Sequence, residues 1–316
     1  MIFKLSIIRE IKDFPLICHC ASILETKKDH YICVWYEGSY ETSSDTLIKI
    51  ALKNSNTVEW APSKILFCYH NVPLGNPVLF SFDDKRIFII FSFLFEESWK
   101  ESVLVISYSD NNGETWSNPS LLFPKKGFLA KNKPIKLSSG KIVVPIYSEI
   151  EFCPYVIIVD DINRCIESKY VAETMARGKV IQPVIVELEP KKLLMYCRTN
   201  QGTIWKSISY NNGFTWSICE PTIIPNPNSA IDLLKISSGE LIMVFNSSEK
   251  DRHSLRVALS SNGGDTWSYF KDIEKGKGEY SYPCLIRDSN KSFHIVYTES
   301  RYRIKHVQFD LEWLKQ

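Results

Sequence analysis

One pattern, Ser-x-Asn-x-Gly-x-Thr-Trp, occurs three times in this chain, at positions 109–116, 209–216 and 260–267. A second pattern, a polar turn followed by an apolar run, begins at His30, Arg86, Lys141, Lys192, Glu240 and Ser292. Both recur with a period of roughly fifty residues, so six near-equal units account for the sequence. Each unit reads as short β-rich runs broken by Gly, Asn, Asp, Ser or Pro, with no convincing helical period before the last few residues. Four strands in about fifty residues make a propeller blade, and radial closure removes exposed sheet edges. A β-sandwich does not require six registered repeats, and β-helix repeats are much shorter. The expectation is all-β: a single six-bladed β-propeller domain over residues 1–316.

Composition narrows the partners. Apolar residues make up 44% and charged residues 23%, enough for a sizeable core. With 38 basic and 36 acidic residues spread along the chain, no block of charge points to nucleic acid or an anionic membrane. The nine cysteines, at 18, 20, 33, 68, 153, 165, 197, 219 and 284, include no CxxC pair, which argues against a disulfide framework or structural zinc. Charges at Lys4, Arg9, Glu10, Lys12 and Asp13 interrupt the Met1–Phe14 segment, so it does not read as a signal peptide. No run approaches the about 18 apolar residues of a membrane span. A cytoplasmic protein without a cofactor is expected, its oligomeric state open.

In a propeller the chemistry belongs where strands converge on the axis. About ten residues ahead of the six turns stand His19, Asn76, Lys133, Gln182, Ser229 and Tyr282, all polar, four of them followed by proline. These are expected to ring one mouth of the channel. Cys18-His19-Cys20 is a poor metal site, because neighbours in a strand point to opposite faces and no other Cys/His set has ligand spacing. Arg198, at the end of an apolar run, suits an anionic or hydroxyl-rich sugar. Asp232 and Glu149 are the acidic residues nearest the channel ends. The tail from Arg301 to His306 reads as a last strand with Arg301, Arg303 and Lys305 on one face, Arg301 being a candidate for the site.

The three Ser-x-Asn-x-Gly-x-Thr-Trp segments resemble the Asp-box, or bacterial neuraminidase repeat, with Asn in place of Asp. The boxes themselves read as turns, closed by a side-chain hydrogen bond, opened by Gly and packed by Trp. The chain is thus similar to the sialidase-like superfamily. It resembles in particular a subgroup of bacterial exo-alpha-sialidase-like proteins through Asn76-Pro77-Val78-Leu79-Phe80, Asn132-Lys133-Pro134, the 226–232 segment with Asn228 and Asp232, and the Tyr280 segment.

Sialidases hold the substrate carboxylate with three arginines, attack with a tyrosine primed by a glutamate, and use an aspartate as acid and base. The resemblance implies Tyr280 or Tyr282 as nucleophile, Arg252 as third arginine and Asp45 as acid and base. His19 stands where the first arginine is expected, Ile204 near the second, and Gln182 where the glutamate belongs. Neither imidazole nor an alkyl chain reproduces a guanidinium fork, and glutamine cannot accept a proton. Three functions follow. One is an exo-acting glycoside hydrolase on an acidic or modified sugar, with Arg198, Arg252 and Lys133 binding a small glycan. Another is a lyase on a uronate sugar, with a tyrosine or His19 moving the proton and Lys133 or an arginine neutralising the carboxylate. The last is a sugar-binding propeller without activity.

Overall fold

In each Asp-box turn the serine hydroxyl donates to the asparagine Oδ1 at 2.9–3.0 Å and receives the glycine N–H at 2.9–3.0 Å. The asparagine Oδ1 also accepts the threonine N–H, and its Nδ2 donates to the threonine hydroxyl. Asn thus uses both ends of its side chain in the turn. Gly113, Gly213 and Gly264 have φ of +85°, +85° and +92°, a left-handed conformation that favours glycine.

The computed structural model describes residues 1–12, 15–54, 57, 59–83, 85–163 and 172–316; Asp13, Phe14 and Cys165 of the sequence reading lie outside them. Six antiparallel sheets follow one another. Blade 1 comprises β2 (Ile17–Lys27), β3 (His30–Gly38), β4 (Leu47–Lys53) and β5 (Lys64–Phe67), and blade 2 comprises β6 (Leu74–Phe80), β7 (Ile87–Leu94), β8 (Ser102–Ser109) and β9 (Ser120–Phe123). Blade 3 splits its first strand into β10 (Phe128–Leu129) and β11 (Ile135–Lys136), both paired to β12 (Ile142–Ser148), followed by β13 (Cys153–Val159) and β14 (Ala172–Met175). Blade 4 holds β15 (Ile181–Glu189), β16 (Lys192–Arg198), β17 (Gly202–Ser209) and β18 (Glu220–Asn226), and blade 5 holds β19 (Asp232–Lys235), β20 (Leu241–Phe245), β21 (Ser254–Ser260) and β22 (Ser268–Lys275). Blade 6 has β23 (Tyr280–Arg287), β24 (Phe293–Glu299) and β25 (Arg303–Phe309), and takes its outer strand from the other end of the chain, β1 (Phe3–Glu10). The chain is therefore a six-bladed β-propeller. The apolar runs after the six turns are the second strands of their blades.

Among the described residues six apolar clusters ring the core, one between each pair of adjacent blades, with a small seventh around Leu129, Tyr147 and Ile181. Burying one Leu, Ile or Phe side chain contributes about 1.5–3 kcal/mol. Antiparallel alternation puts the starts of first strands, the ends of second strands and the loops that follow them on one face. The Asp-box turns, after third strands, lie on the opposite face and hold the frame away from that mouth.

Candidate functional site

The innermost strands of blades 1, 2, 4 and 6 are each interrupted by a bulge near their start, after His19, Gly75, Ile181 and Ser281. Within these bulges Cys20, Asn76, Gln182 and Tyr282 adopt φ of 47–55°. A left-handed non-glycine residue costs on the order of 1–3 kcal/mol, and such strain gathers where a side chain is aimed for use. The bulge breaks strand alternation, so Tyr280 and Tyr282 part company. Tyr282 turns into the mouth. Tyr280 is buried between blades 5 and 6 against Tyr297, where burial pushes its phenol up, and lies away from the cluster around Tyr282.

Tyr282 Oη accepts from Gln182 Nε2 and from Arg198 Nη1, both at 3.1 Å. Arg198 also donates to Gln182 Oε1 at 3.2 Å and to Asn228 Oδ1 at 2.8 Å. The Asn228 carbonyl receives Arg252 Nη2 at 2.6 Å, so one residue spaces two guanidiniums. Lys131, 5% exposed, reaches the Pro283 carbonyl at 3.1 Å, with its ammonium 5.8 Å from the Tyr282 ring. Asn76 sits at the edge, bonded to Tyr147 Oη at 3.4 Å, which Gln182 also contacts.

Opposite lies His19, its ring 4.3 Å from that of Tyr282 and its Nδ1 3.0 Å from the Thr298 hydroxyl. Its Nε2 has no hydrogen-bond partner and faces Glu41 Oε1 at 3.7 Å. Burial, then Arg301, Arg252, Lys131 and Arg198, hold the imidazole well below its usual value and therefore neutral. Arg301 is not on a strand: it occupies the β24–β25 turn with φ of +60°, pairing with Glu41 and lying 3.6 Å from Glu279 Oε2. Glu279 also holds Arg252 at 3.1 Å. Glu149, raised by burial against the opposing pull of Arg198 and Lys100, stands nearby.

Other candidates sit elsewhere. Asp45 is exposed and accepts from the Ser39 N–H and hydroxyl; partial burial raises it, but the Ser39 and Ser43 bonds outweigh this and leave it below the usual carboxylate range. The carboxylate this loop presents to His19 is Glu41. Lys133 is bonded to Asp232 at 2.6 Å, and Asp232 also accepts the Leu285 N–H, so the pair is a buried tie among blades 3, 5 and 6. Ile204 is fully buried between blades 4 and 5. Arg303 and Lys305 are engaged by Glu10, Glu299 and Glu274. Ser229 is buried with an unpartnered hydroxyl. Among the described residues no group of three or more His, Cys, Asp or Glu is placed to hold a metal ion.

Glu41, Lys131, Glu279 and Thr298 were missed by the sequence reading. Lys131 lies two residues before Lys133, and only the X-Pro pattern directed attention to the latter.

The profile of the BNR repeat-like domain matches residues 29–295. An anhydrosialidase from Macrobdella decora is 23% identical over 230 residues, covering 64% of this chain and 30% of that protein. Among solved structures, the Hadza microbial sialidase Hz136 superposes with a TM-score of 0.78 at 17% identity, covering 94% of this chain and 66% of its own. The intramolecular trans-sialidase from Ruminococcus gnavus, in complex with oseltamivir carboxylate, gives 0.76 at 14% identity and 95% coverage of both chains. The chain thus spans under a third of that curated relative and just under two thirds of the Hz136 chain.

Proposed function

The chain belongs to the BNR repeat-like domain family, and from that premise we propose that it is a glycoside hydrolase that removes a terminal carboxylate-bearing sugar. One observation carries this. Arg198 and Lys131 converge beside Tyr282, and among the described residues neither forms a close ion pair with a carboxylate, Glu149 acting on Arg198 only at longer range. A buried charge left uncompensated costs on the order of 3–5 kcal/mol, so the site is arranged for an anion from outside. A sugar carboxylate matches the planar fork of Arg198, with Arg252 and Lys131 adding charge.

In this reading the incoming sugar carboxylate draws Arg301 from Glu41, which takes up a proton from solvent; Tyr282 Oη then forms the bond to the anomeric carbon as the bond to the leaving oxygen breaks, and Glu41 passes that proton to the leaving oxygen. Gln182 cannot take the tyrosine proton. His19, held neutral and with Nε2 unpartnered, is the proposed acceptor. Water then attacks the glycosyl-tyrosine, passing its proton to Glu41, and the phenol recovers its own from His19. Any partner is accordingly a small glycan or glycoconjugate, and a cytoplasmic location stays part of the proposal.

Gln182 also favours a second reading, a binding propeller without turnover. Fluorogenic sialosides and a panel of uronosides separate the two, with absorbance of an unsaturated product followed in parallel. Release from a sialoside that falls at least about 10³-fold in Tyr282→Phe and is unchanged in Tyr280→Phe supports the hydrolase. Unsaturated product from a uronoside moves the protein to the lyases. Binding of free acid without turnover leaves the binding reading.

A further inference from the structure

Away from the mouth, where blade 6 meets blade 1, five polar side chains form one buried chain. Trp60 Nε1 lies 3.3 Å from His306 Nδ1, His306 Nε2 lies 2.8 Å from His294 Nδ1, and His294 Nε2 lies 2.9 Å from Asp288 Oδ2. That oxygen also accepts the Tyr31 hydroxyl at 2.9 Å. His294 and His306 are 2% and 3% exposed, and their rings stack at 5.1 Å.

The ends of this chain fix the direction of every bond within it. An indole N–H only donates and an ionised carboxylate only accepts. Burial raises Asp288, but the His294 and Tyr31 bonds outweigh it and hold the carboxyl below its usual range, so it is ionised. His306 Nδ1 is therefore bare and its hydrogen sits on Nε2; His294 Nδ1 is likewise bare and its hydrogen points at Asp288. Each bare nitrogen is thus already occupied as an acceptor.

A further proton on His306 Nδ1 meets the Trp60 N–H. On His294 it either meets the His306 Nε2–H or drives that hydrogen across to Nδ1, against Trp60 again. Every arrangement sets two hydrogens against each other, and the Trp60 end is the one held by a neutral N–H and not by a carboxylate. Ser6 Oγ, 3.5 Å from His306 Nδ1, is a distant substitute acceptor.

The surrounding charges come from every neighbouring element. Lys4 of β1, Lys53 of β4 and Asp29 of the β2–β3 turn line an adjacent cavity of about 390 Å³. Glu25 and Asp29 act on the Tyr31 end. Burial, then His294, then Lys53 push His306 well below its usual 6.5.

We propose that this chain of side chains is an acid-sensitive latch on propeller closure, in which protonation of the histidine pair expels Trp60 and loosens the seam between β1, blade 6 and blade 1. The folded state favours neutral His306, so its contribution is complete above about pH 6.5 and declines as pH falls below that. The effect reaches the mouth. The Ile11 and Cys18 N–H groups donate to the Tyr302 and Arg301 carbonyls at 2.8 and 2.7 Å, tying the same seam to the turn that carries Arg301.

The test is a histidine NMR titration of the wild type, with melting temperature and tryptophan emission followed from pH 7.5 to 5 in wild type and Trp60→Phe. The latch predicts that His306 keeps its neutral shift at pH 6. It also predicts that the wild type loses several degrees more on acidification than Trp60→Phe, which lacks the opposing N–H. Titration of His306 near 6.5, or the same pH dependence in the two proteins, overturns it. Should Trp60→Phe not fold, the wild-type titration alone decides.

Discussion

Exchanging Gln182 for Glu would put carboxylate oxygens at the positions of Oε1, 3.2 Å from Arg198 Nη1, and Nε2, 3.1 Å from Tyr282 Oη. The new charge would pair with Arg198 and supply a base to the tyrosine. Gln182→Glu should therefore raise kcat on an acidic aryl glycoside by about 10-fold or more while raising KM, a split that steady-state kinetics resolves. Because His19 is held neutral, the acid limb of kcat/KM assigned to it should lie well below pH 6.5, and His19→Asn should abolish that limb in a pH–rate profile. At this scale the sequence was read best where a bulge repeats: His19, Gln182 and Tyr282 were found by counting back from the turns. It was read worst where register decides. Tyr280 shares period-two spacing with Tyr282, and only the positive φ of Tyr282 separates them. Glu41 and Asp45 share one loop, and hydrogen bonds to Ser39 decide which of them faces inward.

A blade is held by its turn chemistry and by the cluster it shares with its neighbour. A Cβ on Gly113 would stand 2.4 Å from Ile32 Cδ1 at a φ of +85°, so Gly113→Ala combines backbone strain with a clash against blade 1. It should cost about 2–4 kcal/mol in chemical denaturation, whereas Gly140→Ala, with the same φ and open space around it, should cost only the strain. Replacing Asn211 by Ala should cost about 1–2 kcal/mol, and by Asp less, since Asp keeps the acceptor for the Thr215 N–H. Boxes and turns were legible because each is a local pattern repeated in register. The split first strand of blade 3 was not, and there the counted residue, Lys133, leaves the mouth for Asp232.

Closure belongs to the whole molecule. Phe3–Glu10 pairs with Arg303–Phe309, about 300 residues away in sequence, and its outward Phe3, Leu5 and Ile7 gave no signal of that partner. Removing residues 1–10 should bare the β25 edge, lower the melting temperature by more than about 10 °C and promote association, as read by calorimetry and light scattering. The same ring of blades brings Arg198 from blade 4, Arg252 from blade 5, Arg301 and Tyr282 from blade 6, and Lys131 from blade 3 to one mouth, so charge there is a property of the closed ring. The most direct test of that claim is calorimetric titration with N-acetylneuraminic acid and its methyl ester near pH 7. The account predicts that the acid binds, that the ester binds at least about 10-fold more weakly, and that Arg198→Gln removes most of the difference. Equal affinity for acid and ester, or no binding of any carboxylated sugar, would contradict it.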